Sequence, residues 1–282
     1  MTFVKLEQNG VNLRRRRLLI SGEPNTRKTT ALVTLLAHVQ AQDPTAKLAI
    51  LSYPGEKGYD TIPVDNPAIL PFIWSTEASA KKQNPQDIVN DVINTSIDII
   101  AGKYGNVKAF AGDGLHKFYD YIMDSVTDGA LFAGDDFEAK LYKRGEEVFK
   151  DYLSRTMHTA IPIVAFTTWA EPEKDRFKRP GEKDGDIPAH IYPALPGKVA
   201  KKIMGEFSII VHQTLRKLKP NDDELVAVWQ TRPYGDVWGA GLKGPAEVVK
   251  RIPTFIPADY STFERIWTDA EKAATSATPS AS

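Results

Sequence analysis

The sequence predicts an α/β fold, a mainly parallel twisted sheet with helices on both faces. Three observations predict it. Short segments that are apolar throughout, the pattern of strands buried on both sides, recur along the chain. Helical stripes alternate with them, as βαβ units require. A glycine-led loop ending in Lys28-Thr29-Thr30 stands between the first such strand and the first such helix.

Each element has its own signal. Leu18 to Ser21 is a short apolar strand. Lys28 to Ala41 carries apolar residues at 31, 32, 35, 36 and 39, one helical face. Leu48 to Tyr53 is a buried strand, and Ile69 to Trp74 a weaker one. Pro85 to Ala101 reads as a helix, with proline in its first turn and Ile or Val at 88, 89, 92, 93, 97 and 100. Val107 to Gly112 is a strand that ends in Asp113, and helical patterns follow at about 114 to 126 and 135 to 158. Ile161 to Thr167 is unbroken apolar strand. Residues 170 to 190 are charged, with several Pro and Gly, and read as a loop. Ser208 to His212 and Leu225 to Gln230 give a C-terminal β region, and Phe263 to Ala270 a short helix. The division is a lead-in over 1–17, one α/β domain over 18–268, and a disordered tail over 269–282, whose last ten residues are Ala, Ser, Thr and Pro.

Composition excludes several classes of function. Of 282 residues, 36 are Lys or Arg and 36 Asp or Glu, so there is no net charge of the kind that coats nucleic acid. Cysteine is absent, which excludes a disulfide scaffold, a Cys-ligated zinc and a thiol nucleophile. The five His residues show no HExxH spacing. No apolar run reaches the roughly 18 to 20 residues of a membrane helix, and the N-terminus lacks an apolar signal core; the expectation is a cytoplasmic protein.

The segment Gly22-Glu23-Pro24-Asn25-Thr26-Arg27-Lys28-Thr29-Thr30 carries the chemistry. A loop between strand and helix aims backbone N–H groups and the helix N-terminus at phosphate oxygens. Lys28 would reach the β- and γ-phosphates of ATP, and the Thr29 hydroxyl would hold Mg²⁺. The phosphate-loop pattern GxxxxGK followed by Ser or Thr asks for glycine where this chain has Arg27. That side chain either points outward, reaches a phosphate, or weakens binding.

A second element is an acid at the end of an apolar strand. Asp113 fits either as a water-mediated Mg²⁺ ligand or as a helix N-cap. Thr167 and Thr168 end the next apolar strand, at the sheet edge where ligands bind. They read either as sensors of the γ-phosphate or as plain strand-end residues. Glu56 follows the second strand in a Pro-Gly turn. It reads as the carboxylate that orients water, or as a surface turn residue. His116 lies just past Asp113, on a helix surface or beside the γ-phosphate. Tyr119, Tyr121, Trp229, Trp238 and Trp267 read as core or interface residues.

In this order of motifs the chain resembles the RecA-like ATPases over roughly residues 15 to 267. More narrowly it resembles phage-encoded AAA-type proteins that include the Sak-group single-strand annealing ATPases. The resemblance implies Gly22, Lys28, Thr29 and Thr30 at the phosphates and Mg²⁺, Asp113 as the second-motif acid and Glu56 as the catalytic carboxylate. The family's Thr-x-His is replaced by Thr167-Thr168-Trp169. Its C-terminal Lys-x-Arg, which acts across a subunit interface, is reduced to Lys243 in Ala240-Gly241-Leu242-Lys243-Gly244. These departures, with Arg27, touch hydrolysis more than fold. The implied partners are single-stranded DNA, further copies in rings or filaments, and a single-strand-binding protein, all in a host cytoplasm and with no membrane. The DNA would meet Arg14 to Arg17, or Lys174, Arg176, Lys178, Arg179 and Lys183 around Phe177. Both stretches read equally as solvated charge. A non-hydrolysing, nucleotide-binding assembly protein is the alternative, and a small-molecule kinase ranks last.

Overall fold

Strands that are apolar on both sides need cover on both sides, and the helices supply it. The structure is a computed structural model, and it describes residues 14–74, 84–127, 135–174, 189–195, 203–217 and 224–276. The first half runs β1 (Arg16–Gly22), α1 (Lys28–Gln42), β2 (Lys47–Ser52), a short 3₁₀ turn (Gly58–Thr61), β3 (Ile69–Ile73), α2 (Pro85–Ile100), β4 (Val107–Asp113) and α3 (Leu115–Thr127). The second half runs α4 (Asp135–Met157), β5 (Ile163–Lys174), β6 (Ala189–Pro193), β7 (Ile209–Lys217), β8 (Leu225–Gln230), β9 (Gly241–Leu242), α5 (Ala246–Val249), β10 (Phe255–Pro257) and α6 (Tyr260–Ser276).

Among the described residues the main sheet has the order β10-β8-β7-β1-β5-β4-β2-β3, with β6 on β5 and β9 on β7. From β7 to β3 neighbouring strands are parallel. The C-terminal extension, β8 and β10, continues the sheet antiparallel. β5 lies between β1, the strand before the loop, and β4, the strand that ends in Asp113.

Period-two alternation sorts the core into two layers. Leu18 and Ile20 of β1 face α1 and α6, together with Leu35, Val39, Phe263 and Trp267. Leu19 faces the opposite way, into a layer with Val92 of α2, Phe118 of α3 and Phe149 of α4. α2 starts as its sequence predicts. Pro85 opens the first turn, and the Asn84 side chain accepts from the Gln86 N–H at 2.8 Å.

Several expectations need correction. β1 begins at Arg16, not at Leu18, so the lead-in boundary at 17 cuts a strand. Arg16 and Arg17 are buried, not solvated and not free to track a nucleic-acid backbone. Arg16 pairs with Glu264 at 2.8 Å and lies over the Trp267 ring. Arg17 donates to the carbonyls of Met157, Thr159 and Pro162. The C-terminal helix spans Tyr260–Ser276, so residues 269 to 276 are helical where a disordered tail was expected. Glu271 shows why it continues, since it accepts from the Trp267 indole and pairs with Arg14. β5 runs on to Lys174 and pairs with β6, so the charged loop starts later than residue 170. Arg176, Phe177, Lys178, Arg179 and Lys183 lie outside the described residues.

Candidate functional site

Parallel strands bring their carboxyl ends to one edge, and the loops after β1, β2 and β4 meet there beside β5. They line a cleft of about 570 Å³ that includes Pro24 to Thr30, Gly55 to Gly58, Asp113, Lys117 and Trp169. Its size is in the range of small-molecule sites, about 300 to 1,000 Å³.

The loop is built by close approach. A Cβ on Gly22 would stand 2.5 Å from the Gln213 carbonyl oxygen, so only glycine lets β1 leave the sheet here. Thr26 is buried and its hydroxyl donates to the Glu23 carbonyl at 2.9 Å. Asn25 and Arg27 on either side are both left-handed, each with φ 64°. Arg27 is exposed, at the N-cap of α1, and makes no side-chain cap. Arg27 also lines the cleft. It keeps the backbone geometry that glycine would adopt freely.

That geometry has a cost, about 1 kcal/mol for a residue with a Cβ. Arg27→Gly is therefore expected to raise Tm by about 2 °C, since glycine's extra freedom in the unfolded chain offsets part of the relief. Arg27→Ala keeps the Cβ and is expected to leave Tm within about 1 °C. Thermal melts of the two variants check this.

Lys28 is half-buried, and its Nζ donates to the Gly22 carbonyl at 3.0 Å and the Glu23 carbonyl at 2.7 Å. Burial lowers its pKa, while Asp113, Glu56 and Glu23 act the other way. Thr29 Oγ1 donates to Asp113 Oδ2 at 2.6 Å. Asp113 is fully buried at the end of β4, and its other oxygen accepts from the Thr167 hydroxyl at 2.5 Å. Thr167 Oγ1 in turn accepts from the Gly114 N–H at 2.8 Å. Two hydroxyls thus occupy the carboxylate, in place of the first-turn amides an N-cap would serve. Burial raises the Asp113 pKa, against the pull of Thr167, Thr29 and Lys28.

Glu56 folds back from its turn onto Gly114, where an added Cβ would come within 2.7 Å of its Oε2. Burial first, then the Asp113 carboxylate, raise its pKa. Gly58 was not foreseen. A Cβ there would stand 2.1 Å from Thr29 Oγ1 and 3.0 Å from Asp113 Oδ2. The sequence signal was the second glycine in Pro-Gly-Glu-Lys-Gly, which leaves a cradle beside the hydroxyl–carboxylate pair. Oxygen donors around such a cradle suit Mg²⁺, a hard cation that keeps several waters.

The other predicted residues are placed as follows. Thr168 serves the fold, donating to the Ala194 carbonyl at 2.8 Å. His116 Nδ1 accepts from the Trp169 N–H at 3.3 Å and its ring lies 4.3 Å from the Trp169 ring. Burial pushes its pKa down to about 3, so the ring is neutral. Lys117 Nζ stands 4.5 Å over the same indole, at the mouth of the cleft. Lys243 is not brought to this cleft. It follows β9, donates to the Gly205 carbonyl, and lines a separate cavity with Phe207, Trp238 and Leu242. Trp229 and Trp267 are core residues, whereas Trp238 is about half exposed.

No family model matches the chain, and no curated protein matches it. Among the described residues no helix is long and apolar enough to cross a membrane. Among solved structures, the flagellar accessory protein FlaH from Methanocaldococcus jannaschii is similar at 12% identity and a TM-score of 0.40, covering 77% of this chain and 78% of its own. A likeness that distant carries no argument about what this chain does.

Proposed function

We propose that the protein binds Mg-ATP at the loop after β1 and hydrolyses it. One observation carries the reading. Lys28, Glu56 and the bonded Thr29–Asp113 pair, from three separate segments of the chain, line a single cleft. Thr29 would hold Mg²⁺ directly and Asp113 through water, and the bound ion would neutralise phosphate charge. Lys28 would exchange its two loop carbonyls for phosphate oxygens. Glu56 would accept a hydrogen bond from the attacking water and hold it in line, a role its partial burial suits. Glu56→Gln is expected to lower ATP turnover by about 100-fold while the Mg-ATP Kd stays within about threefold, because an amide cannot take the water's proton. Phosphate release and calorimetry on that variant check it. Equal losses in binding and turnover would remove Glu56 from the role.

The motif order supports a more specific reading, a recombination ATPase on single-stranded DNA of the phage annealing type, working as rings or filaments with or without a single-strand-binding protein. On this reading Lys243, remote from the cleft of its own protomer, acts in a neighbour's site. DNA-stimulated phosphate release tests it, and release unchanged by DNA counts against it. Arg27 favours the second reading, a nucleotide-gated assembly protein that does not hydrolyse ATP. On that reading Arg27→Gly raises ATP turnover at least about tenfold, as one repaired phosphate contact would, and no gain counts against it.

A further inference from the structure

The phosphate loop is held from outside by strand β7. Gln213 is fully buried on β7, and β7 lies parallel to β1. Its side-chain Nε2 donates to the Thr26 carbonyl at 2.5 Å, and its Oε1 accepts from the Trp229 indole N–H at 2.9 Å. The orientation of this amide is settled by chemistry. An indole N–H can only donate and a backbone carbonyl can only accept, so a flipped amide would lose both bonds. Trp229, on β8, is itself fully buried and packs against Phe263 of α6. A rigid line of contacts thus runs from α6 through β8 and β7 to the middle of the loop.

Its end point is Thr26, the residue between the two left-handed positions Asn25 and Arg27. Neither is glycine; Asn tolerates that conformation, but Arg27 prefers to leave it, and strained positions persist only where their surroundings over-determine them. Thr26 is held at both polar ends, its hydroxyl on the Glu23 carbonyl and its carbonyl on Gln213. We propose that Gln213 is a positioning residue for phosphate binding: held by Trp229, it keeps the loop in the strained shape that Arg27 would otherwise abandon. The proposal deepens the Mg-ATP reading and rests on it for its ligand measurement. Gln213 itself touches no ligand.

The test has two arms. The first needs no nucleotide. Trypsin cuts after Arg27 and Lys28, so its rate at these bonds reports local opening of the loop. Gln213→Met keeps the length of the side chain without its donor, and is expected to speed cleavage there by about tenfold, the effect of one lost buried hydrogen bond. Cleavage elsewhere stays unchanged. Trp229→Phe removes the donor that orients the amide together with ring volume in the core, and is expected to speed the same cleavage by about threefold beyond any change in cleavage elsewhere. Should Gln213→Met fail to fold, Trp229→Phe decides. Unchanged cleavage after residues 27 and 28 in a folded variant overturns the proposal.

The second arm is a cycle with Arg27→Gly, read as the Mg-ATP Kd. Gln213→Met is expected to weaken binding about tenfold when residue 27 is Arg, and about threefold when it is Gly, because glycine holds the left-handed shape without help. Equal losses in both backgrounds mean a merely structural role and overturn the proposal. If the wild-type chain binds no nucleotide, the ligand reading fails, and the cleavage arm still decides the role of Gln213.

Discussion

Lys28→Ala is expected to weaken Mg-ATP binding by about 100-fold and to bring phosphate release to background, since a charged hydrogen-bonding group at a phosphate contributes about 1.5 to 3 kcal/mol. The ammonium is half-buried and its bonds go to the two carbonyls at the start of the loop, Gly22 and Glu23. It stands close enough to Asp113 and Glu56 to feel both. Removing it leaves those carboxylates facing the phosphates without the ammonium that stands beside them. Repulsion then adds to the lost bonds. Two backbone carbonyls lose one donor but lie beside the open cleft, where water replaces it, so the fold is expected to survive. Calorimetry measures the binding loss, a phosphate assay the turnover, and the thermal melt shows that the variant is folded. Wild-type turnover in this variant would remove the loop from catalysis.

Asp113→Asn is expected to lower turnover by about 1,000-fold, with nucleotide binding in the presence of EDTA within about threefold of wild type. The carboxylate accepts from Thr29 at one oxygen and from Thr167 at the other. An amide has one oxygen, so one of those hydroxyls must face an NH₂ group and turn away. The negative charge beside the Gly58 cradle is also lost. Both changes act on the metal and leave Lys28 and the loop amides intact. The split between metal-dependent turnover and metal-free binding is therefore the signature. A parallel loss of both would show that Asp113 holds the loop and not the ion.

Much of the fold was legible because strand and helix periods are local. β2, β4 and β8 fall where continuous apolar runs put them, and α2 starts at its proline. The boundaries that failed are those set by tertiary contacts. Arg16 and Arg17 look like a charged lead-in, yet each is neutralised or solvated by partners far along the chain, Glu264 for the first and the carbonyls after α4 for the second. No window of sequence around residue 16 contains Glu264. The C-terminal helix extends past Ala270 for the same reason, through Glu271 and Arg14.

The site divides in the same way. Lys28, Thr29 and Asp113 were legible because their spacing follows strand-loop-helix chemistry. Gly58 and Gln213 were not. Gly58 matters through a void that only folding creates beside Thr29. Gln213 matters through two partners, at positions 26 and 229, neither near it in sequence. Arg27 was legible as a departure, but its outcome was not, because whether a non-glycine residue bears a φ of 64° depends on what pins its neighbours.

The measurement that bears most directly on the central claim is a calorimetric titration of ATP into the wild-type protein, once with Mg²⁺ and once with EDTA, repeated on Lys28→Ala. The expected result is one binding site per chain, tighter with Mg²⁺ by about tenfold, and lost in the variant. Absence of binding in the wild type, or binding that Lys28→Ala leaves intact, would contradict it.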